Sequence, residues 1–367
     1  MATIKEMLEK SNGSIETAEL MAKFLIDDNG DQYLPDLQLL YALQGKIKES
    51  REISDRVEKI FPNDDRVLYN KGWHRMLEGD LLEGFTLMNR GRNVELWGNA
   101  PIRTNKPIWD GKSDLMDKHV LFNCEAGFGD EMIFVRFARE LCNKGAKVTV
   151  LCNPDLVSLF SRIPEISAVA NYGSEQFIYH DYWIPSMLSP VLLKTQFSDL
   201  SGSPYLTADS RYVKKFEKYI KSDQLKVGIR WLGQSGDDYI NRIFDEQLMF
   251  DAVLQDHVQV YSLQKDHSDD PLPKDIIDLE PLLDTWEDTA GAIANLDLVV
   301  SSCTSIPHLS AAMGKPTWAI PPLMMYYIWC YPGSKSPWYD SLTLYRQEQY
   351  GEWWQPFERV KEDLKGI

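Results

Sequence analysis

The chain of 367 residues has little of what marks several protein classes. Its five cysteines, at 124, 142, 152, 303 and 330, include no Cys-x-x-Cys. That argues against a disulfide framework and a structural zinc site. Its six histidines (74, 119, 180, 257, 267 and 308) form no i,i+4 pair, and no Asp-x-Asp occurs. A metal-bridging carboxylate pair of that kind is therefore missing, and no metal is expected. No apolar run approaches the ~20 residues that span a bilayer. The first residues, MATIKEMLEKSNGS, hold no apolar signal region. The expected location is the cytosol, with no membrane partner. Positive charge is also short: 39 Lys and Arg face 55 Asp and Glu, a net charge of −16. Such a field repels nucleic acid and anionic membranes. One local exception is RYVKKFEKYIK, from Arg211 to Lys221, with five basic residues against one acid. As a helix it would offer a basic face to phosphates; a solvated face explains the run equally.

What is present suffices for packed cores in two or three domains, with 44% hydrophobic residues. Residues 1–95 carry a helical pattern with an internal repeat. Gly45 in YALQGKIKES and Gly79 in RMLEGDLLEG lie 34 positions apart, and Pro62 follows the helix between them. That period and helix–turn–helix layout fit a tetratricopeptide repeat. Residues 96–117 are rich in Pro, Gly and Asn and read as a linker. From Lys118 onward strands and helices alternate, which predicts parallel βαβ units over 118–222 and again over 223–347. The remainder, 348–367, reads as an amphipathic helix.

Two stretches carry the chemistry. In KHVLFNCEAGFGDEMIFVRF, Lys118 to Phe137, a strand runs into a turn with Gly127 and Gly129, then a helix from about Glu131. It is no dinucleotide fingerprint, because Met132 stands at the third glycine position, and no Gly-Lys-Ser/Thr makes it a phosphate loop. Asp130 on this turn suits a general base, or a carboxylate complementing the helix dipole. In LDLVVSSCTSIPHLSAAMGKPTWAIP, Leu296 to Pro321, a buried strand meets a small-polar turn and a helix opening near Pro307. Thr304, Ser305 and His308 there would meet an anion at a helix N-terminus; N-capping accounts for the same hydroxyls.

These two motifs together resemble bacterial and phage glycosyltransferases of the heptosyltransferase-like and O-GlcNAc-transferase-like type, in which tetratricopeptide repeats precede the catalytic part. KVGIRWLG (Lys226 to Gly233), YSLQKD (Tyr261 to Asp266) and SPWYDSLTLYRQ (Ser336 to Gln347) extend the resemblance in the same order. It implies an α/β fold of two Rossmann-like domains, called GT-B, behind a tetratricopeptide-like helical domain. Its last helix would cross back to the first α/β domain. It implies an inverting, metal-independent transferase of a hexose or pentose, with no cofactor beyond a nucleotide-diphosphate sugar, a UDP-sugar foremost. Asp130 would be the base on an acceptor loop with Gly127 and Gly129. Thr304, Ser305, His308, Arg242 (in DDYINRIF), Lys265 and Thr289 would bind the donor, and Trp231 and Trp286 would stack on it. Cys303 stands where the family commonly has Asp, which leaves donor choice open. The acceptor would be macromolecular: a protein side chain, a glycan, or a hydroxymethylated base of phage DNA. Two alternatives remain open, a non-catalytic binding protein of the same build and a nucleotide-sugar epimerase.

Overall fold

Strands buried on both faces pair in parallel, because crossover helices must cover each side. Two such sheets form here. The structure, a computed structural model, describes residues 7–8, 10, 14–99, 101–233, 242–265, 271–324 and 326–367. Outside them lie His267, Asp266, the first part of the DDYINRIF stretch, and most of the opening 13 residues.

The chain starts with helices Ile15–Asn29, Leu34–Leu43, Ile47–Ile60, Asp65–Leu77 and Leu81–Met88. Gly45 and Gly79 turn the second helix into the third and the fourth into the fifth. Both sit in the left-handed region, at φ +71° and +88°, where a side chain is strained. Asp64 caps the fourth helix by accepting from the Arg66 and Val67 amides.

The first sheet holds β1 (His119–Asn123), β2 (Lys147–Cys152), β3 (Ala168–Asn171) and β4 (Tyr182–Pro185) in the order β3-β2-β1-β4. All its pairings are parallel. The second sheet runs β10-β11-β9-β8-β5-β6-β7. Its strands are β5 (Leu225–Arg230), β6 (Val258–Ser262), β7 (Ile276–Asp278), β8 (Leu298–Ser302), β9 (Thr317–Ile320), β10 (Lys335–Ser336) and β11 (Tyr339–Leu344). Only β10 is antiparallel to its neighbour. Strand order reverses beside β1 in the first sheet and between β5 and β8 in the second. Ligands of open parallel sheets bind outside the carboxyl ends of strands at such reversals.

One apolar cluster runs from the helical segment (Trp73, Phe85) through β1 and the helix after it (Phe122, Phe134) to the helix after β8 and the turn between β10 and β11 (Ile306, Trp338). Polar ties reinforce it. Arg92 holds Glu125, just after β1, with two bonds of 2.6 and 2.7 Å. Glu125 is 1% exposed and also accepts from the Asn99 and Met187 amides. Arg162 grips Glu287 across the seam between the sheets in the same bidentate way.

Two expectations are corrected, and one open alternative is decided. The helix after β1 begins at Phe128, ahead of Glu131, because Gly127 serves as its N-cap. The last helix, Trp354–Lys365, does not cross back to the first sheet. Its apolar face of Phe357, Val360 and Leu364 packs in a second cluster with Phe244, Met249 and Val253, on the second sheet. The basic run is helical only over Ser210–Phe216. Within it Lys215 is committed to Asp288 at 2.5 Å and Arg211 to Asp209 at 2.7 Å, which leaves no continuous basic face.

Candidate active site

At the reversal points the two sheets enclose a cleft of about 650 Å³. It falls within the usual range for a small-molecule site, roughly 300–1,000 Å³. Gly127, Gly129, Asp130, Arg242, Lys265, Trp286, Thr289, Thr304, Ser305 and His308 all line it. Trp231 does not. It is 4% exposed, with its ring edge-on to Phe250 in the core.

Two helices meet at the cleft, Phe128–Asn143 from the first sheet and Ser305–Ala312 from the second. Gly129 allows the approach: a Cβ there would lie 3.0 Å from His308 Cδ2 and 3.5 Å from Ser305 Cα. Both helices begin at this junction, so two positive dipole ends face one space.

Asp130 is the third residue of its helix. Its Oδ2 accepts the Gly127 amide at 3.2 Å, as in a capping box. Its Oδ1 accepts the hydroxyls of Tyr326 (2.7 Å) and Tyr327 (2.6 Å). Burial pushes its carboxyl above the ordinary carboxylate range, and the two hydroxyls oppose that rise. A carboxylate whose pKa is raised is a stronger base while it stays ionised. Next to it Glu131 is pushed up to about 7 by burial, while Tyr172 and the Asn153 amide hold its two oxygens.

On the opposite wall Thr304 caps its helix, accepting the Ile306 amide at 3.3 Å. His308 is buried, stacked at 7° on Trp329, with Nδ1 3.3 Å from the Tyr339 hydroxyl. Burial and, secondly, the Arg136 charge push it down to about 3, so the imidazole is neutral. It therefore brings no positive charge to the cleft. Positive charge comes instead from Arg242, Lys265 and Arg230, which line the same cleft. Arg242 donates to the Cys303 carbonyl at 3.1 Å and Lys265 to the Leu283 carbonyl at 2.8 Å. Cys303 is buried, and its sulfur accepts the Trp329 indole at 3.1 Å. Thr289 sits in the first turn of helix Trp286–Asn295, its hydroxyl on the Thr285 carbonyl at 3.3 Å. Phe128 and Trp286 meet across the cleft from opposite sheets, ring centroids 5.1 Å apart.

Arg230, Tyr326 and Tyr327 belong to this arrangement and were not singled out from the sequence. Arg230 closes a strand, the position from which a residue reaches a site of this kind. The tyrosines sit in the aromatic run PPLMMYYIWCYPG, with no spacing that ties them to an aspartate 196 positions away. Among the described residues no group of three or more His, Cys, Asp or Glu could hold a metal ion. No helix is long and apolar enough to cross a membrane, among the same residues.

No protein-family model and no curated protein matches the chain. Solved structures similar to it include the ADP-heptose LPS heptosyltransferase II of E. coli, at 14% identity and TM-score 0.48, over 68% of this chain and 98% of that one. Another is the iron-containing dodecameric glycosyltransferase TibC of enterotoxigenic E. coli H10407, at 12% and 0.45, over 69% and 76%. A point mutant of the Thermobaculum terrenum O-GlcNAc transferase is similar over 100% of this chain and 92% of that one, at 10% and 0.33.

Proposed function

We propose that the chain is an inverting, metal-independent glycosyltransferase. It moves a sugar from a nucleotide-diphosphate donor, a UDP-sugar foremost, to a macromolecular acceptor. One observation carries the reading: a hydroxyl-held carboxylate and a capped helix start, from opposite sheets, face each other across one cleft whose described lining also holds Arg230, Arg242 and Lys265, beside Glu131, Asp155 and Asp284. The tetratricopeptide-like reading of residues 1–95 and the GT-B arrangement belong to this proposal.

In this mechanism the acceptor hydroxyl gives its proton to Asp130 as its oxygen attacks the anomeric carbon. The bond from that carbon to the diphosphate breaks, and the diphosphate leaves with the electron pair. A direct displacement inverts the anomeric centre. Charge growing on the diphosphate is received by the helix start at Thr304 and Ser305 and by Arg242, Arg230 and Lys265. Neutral His308 donates one further hydrogen bond. Trp286 and Thr289 border the donor.

The test is a thermal-shift screen of nucleoside diphosphates with and without EDTA, followed by donor-hydrolysis and transfer assays. A ligand at a hundredfold excess over its Kd stabilises the folded state by about 2.7 kcal/mol. Binding and turnover that survive EDTA support the proposal. Rescue of a lost activity by iron, manganese or magnesium would remove the metal-free part. Binding without any turnover would favour a non-catalytic protein of the same build.

A further inference from the structure

A second cavity of about 280 Å³ lies beside the cleft, between the helical segment and Pro322, Met324, Tyr326 and Tyr327. Arg242 and Tyr326 line both spaces, and Tyr327 lines the second. Asp130 lines the cleft and not this cavity, but Tyr326 and Tyr327, which do line it, both donate to that carboxylate, so the cavity lies one hydrogen bond away from it. Tyr69, on the cavity's other side, is near enough to feel it: burial, then the Asp130 charge, pushes its phenol up.

The lining has a definite chemistry. Among the described residues it contains no Asp or Glu, and Arg242 is its one charged side chain. His74 is pushed down to about 4, chiefly by burial, and is neutral. A cationic guest would find no counter-charge in this described lining. Tyr69, Trp73, Tyr326 and Tyr327 present ring surface, while Gln38 and Asn70 bring amides, groups that both donate to and accept from hydroxyls. The volume sits just under the lower bound of ordinary ligand sites, roughly 300 Å³, and so suits one ring rather than a polymer segment. A serine or threonine side chain would leave most of it empty.

We propose that this cavity is the acceptor subsite and that it seats one uncharged saccharide ring, with the reacting hydroxyl turned toward Asp130. The proposal rests on the glycosyltransferase reading and narrows it to a glycan acceptor.

The test uses the full chain and a panel of methyl glycosides (gluco, galacto and manno), observed by saturation-transfer NMR with and without UDP. Ala42→Leu fills the cavity from the helical side; Asn70→Leu is the second variant should Ala42→Leu fail to fold. At least one glycoside should bind the wild type, and a variant should weaken it tenfold or more while its UDP-induced thermal shift stays unchanged. No glycoside binding, or equal binding by the variants, overturns the proposal. So does displacement of the glycoside only by a serine/threonine peptide or a hydroxymethylated oligonucleotide. If UDP does not bind the wild type, the donor reading fails by itself, and the glycoside titrations still decide the cavity.

Discussion

The two loops that face each other in the cleft share one plan and differ in charge. Each follows a buried parallel strand, each opens a helix, and each presents a helix N-terminus to the same space. After β1 the loop carries Asp130, a carboxylate held by Gly127, Tyr326 and Tyr327. After β8 it carries Thr304 and Ser305, with neutral His308 beneath. A helix start that already holds a carboxylate has its dipole satisfied from within the chain. One that holds only hydroxyls and amides can take an anion from outside. Under the proposed function, that difference gives proton removal to the first loop and the departing diphosphate to the second.

The largest effect should come from breaking the first loop. Asp130→Asn should lower transfer by about 10²-fold or more while nucleoside-diphosphate binding persists. The amide cannot accept both the Gly127 N–H and the tyrosine hydroxyls as the carboxylate does, so a melt should accompany the kinetics. Turnover by a folded Asn variant at the wild-type rate would end the assignment of Asp130 as base.

Next comes the second loop. Thr304→Val removes the hydroxyl that caps the helix, and His308→Ala removes the ring that stacks on Trp329. Each should weaken nucleoside-diphosphate binding by about 1.5–3 kcal/mol if the lost group contacted the phosphates. Thr304→Val should also lose about 1 kcal/mol of stability through the cap. Titration calorimetry on both variants separates the two roles: a stability loss with unchanged affinity would leave Thr304 a cap only.

Gly129 keeps the two loops together, and Gly129→Val should drive them apart. Its side chain would press on His308 and the Ser305 backbone, with an overpacking cost of about 1–3 kcal/mol. Both nucleotide affinity and transfer should fall. Retention of both would show that the helix starts do not need to touch.

Much of this plan was legible in the sequence, for a physical reason. A strand–turn–helix unit at the carboxyl end of a buried parallel strand is specified locally, by an apolar run, small turn residues and helical spacing. Gly127, Gly129, Asp130, Thr304, Ser305 and His308 could therefore be picked out together. What was not legible depends on distant pairing. Nothing near Asp130 names Tyr326 and Tyr327 as its donors. Trp231 reads as a stacking residue because a tryptophan after a strand has that reach, but Phe250 takes its ring into the core. The last helix lies elsewhere than expected because amphipathicity gives a face and not the surface that covers it.

Protonation offers a subtler probe of the site against the helical segment. His74 has its folded pKa pushed down to about 4 by burial, from about 6.5 when unfolded. The unfolded chain then binds more protons in between, so this group's contribution is lost as pH falls from 6.5 toward 4, at up to about 1.4 kcal/mol per pH unit. Glu131 has the opposite sign. Its folded pKa is raised to about 7, so its contribution is lost as pH rises from about 4.3 through 7. Melts from pH 4 to 8 should show His74→Gln flattening the acid side and Glu131→Gln flattening the neutral side. Parallel curves for wild type and both variants would mean that neither group is held as the structure has it.

The smallest effect should come from the basic run, and its smallness matters for the acceptor. Lys215 is unsuitable as a probe of phosphate binding. It ties Asp288, whose carboxylate is 4% exposed and also caps helix Trp286–Asn295 through Thr285. Lys215→Glu should loosen the seam and lower the melting temperature whatever the acceptor is. Lys218 lies over its neighbour Tyr219, 4.5 Å from the ring centroid, and both it and Lys214 are exposed. Lys214→Glu with Lys218→Glu therefore changes surface charge with little structural cost. A DNA acceptor requires phosphate contacts, and each one lost flattens the fall of binding with salt by about one unit of log–log slope. A saccharide ring seated beside Asp130 requires none. The double variant should keep the wild-type rate within about twofold between low and moderate salt. A steep salt dependence in the wild type, removed by the double variant, would turn the acceptor from a glycan to a nucleic acid.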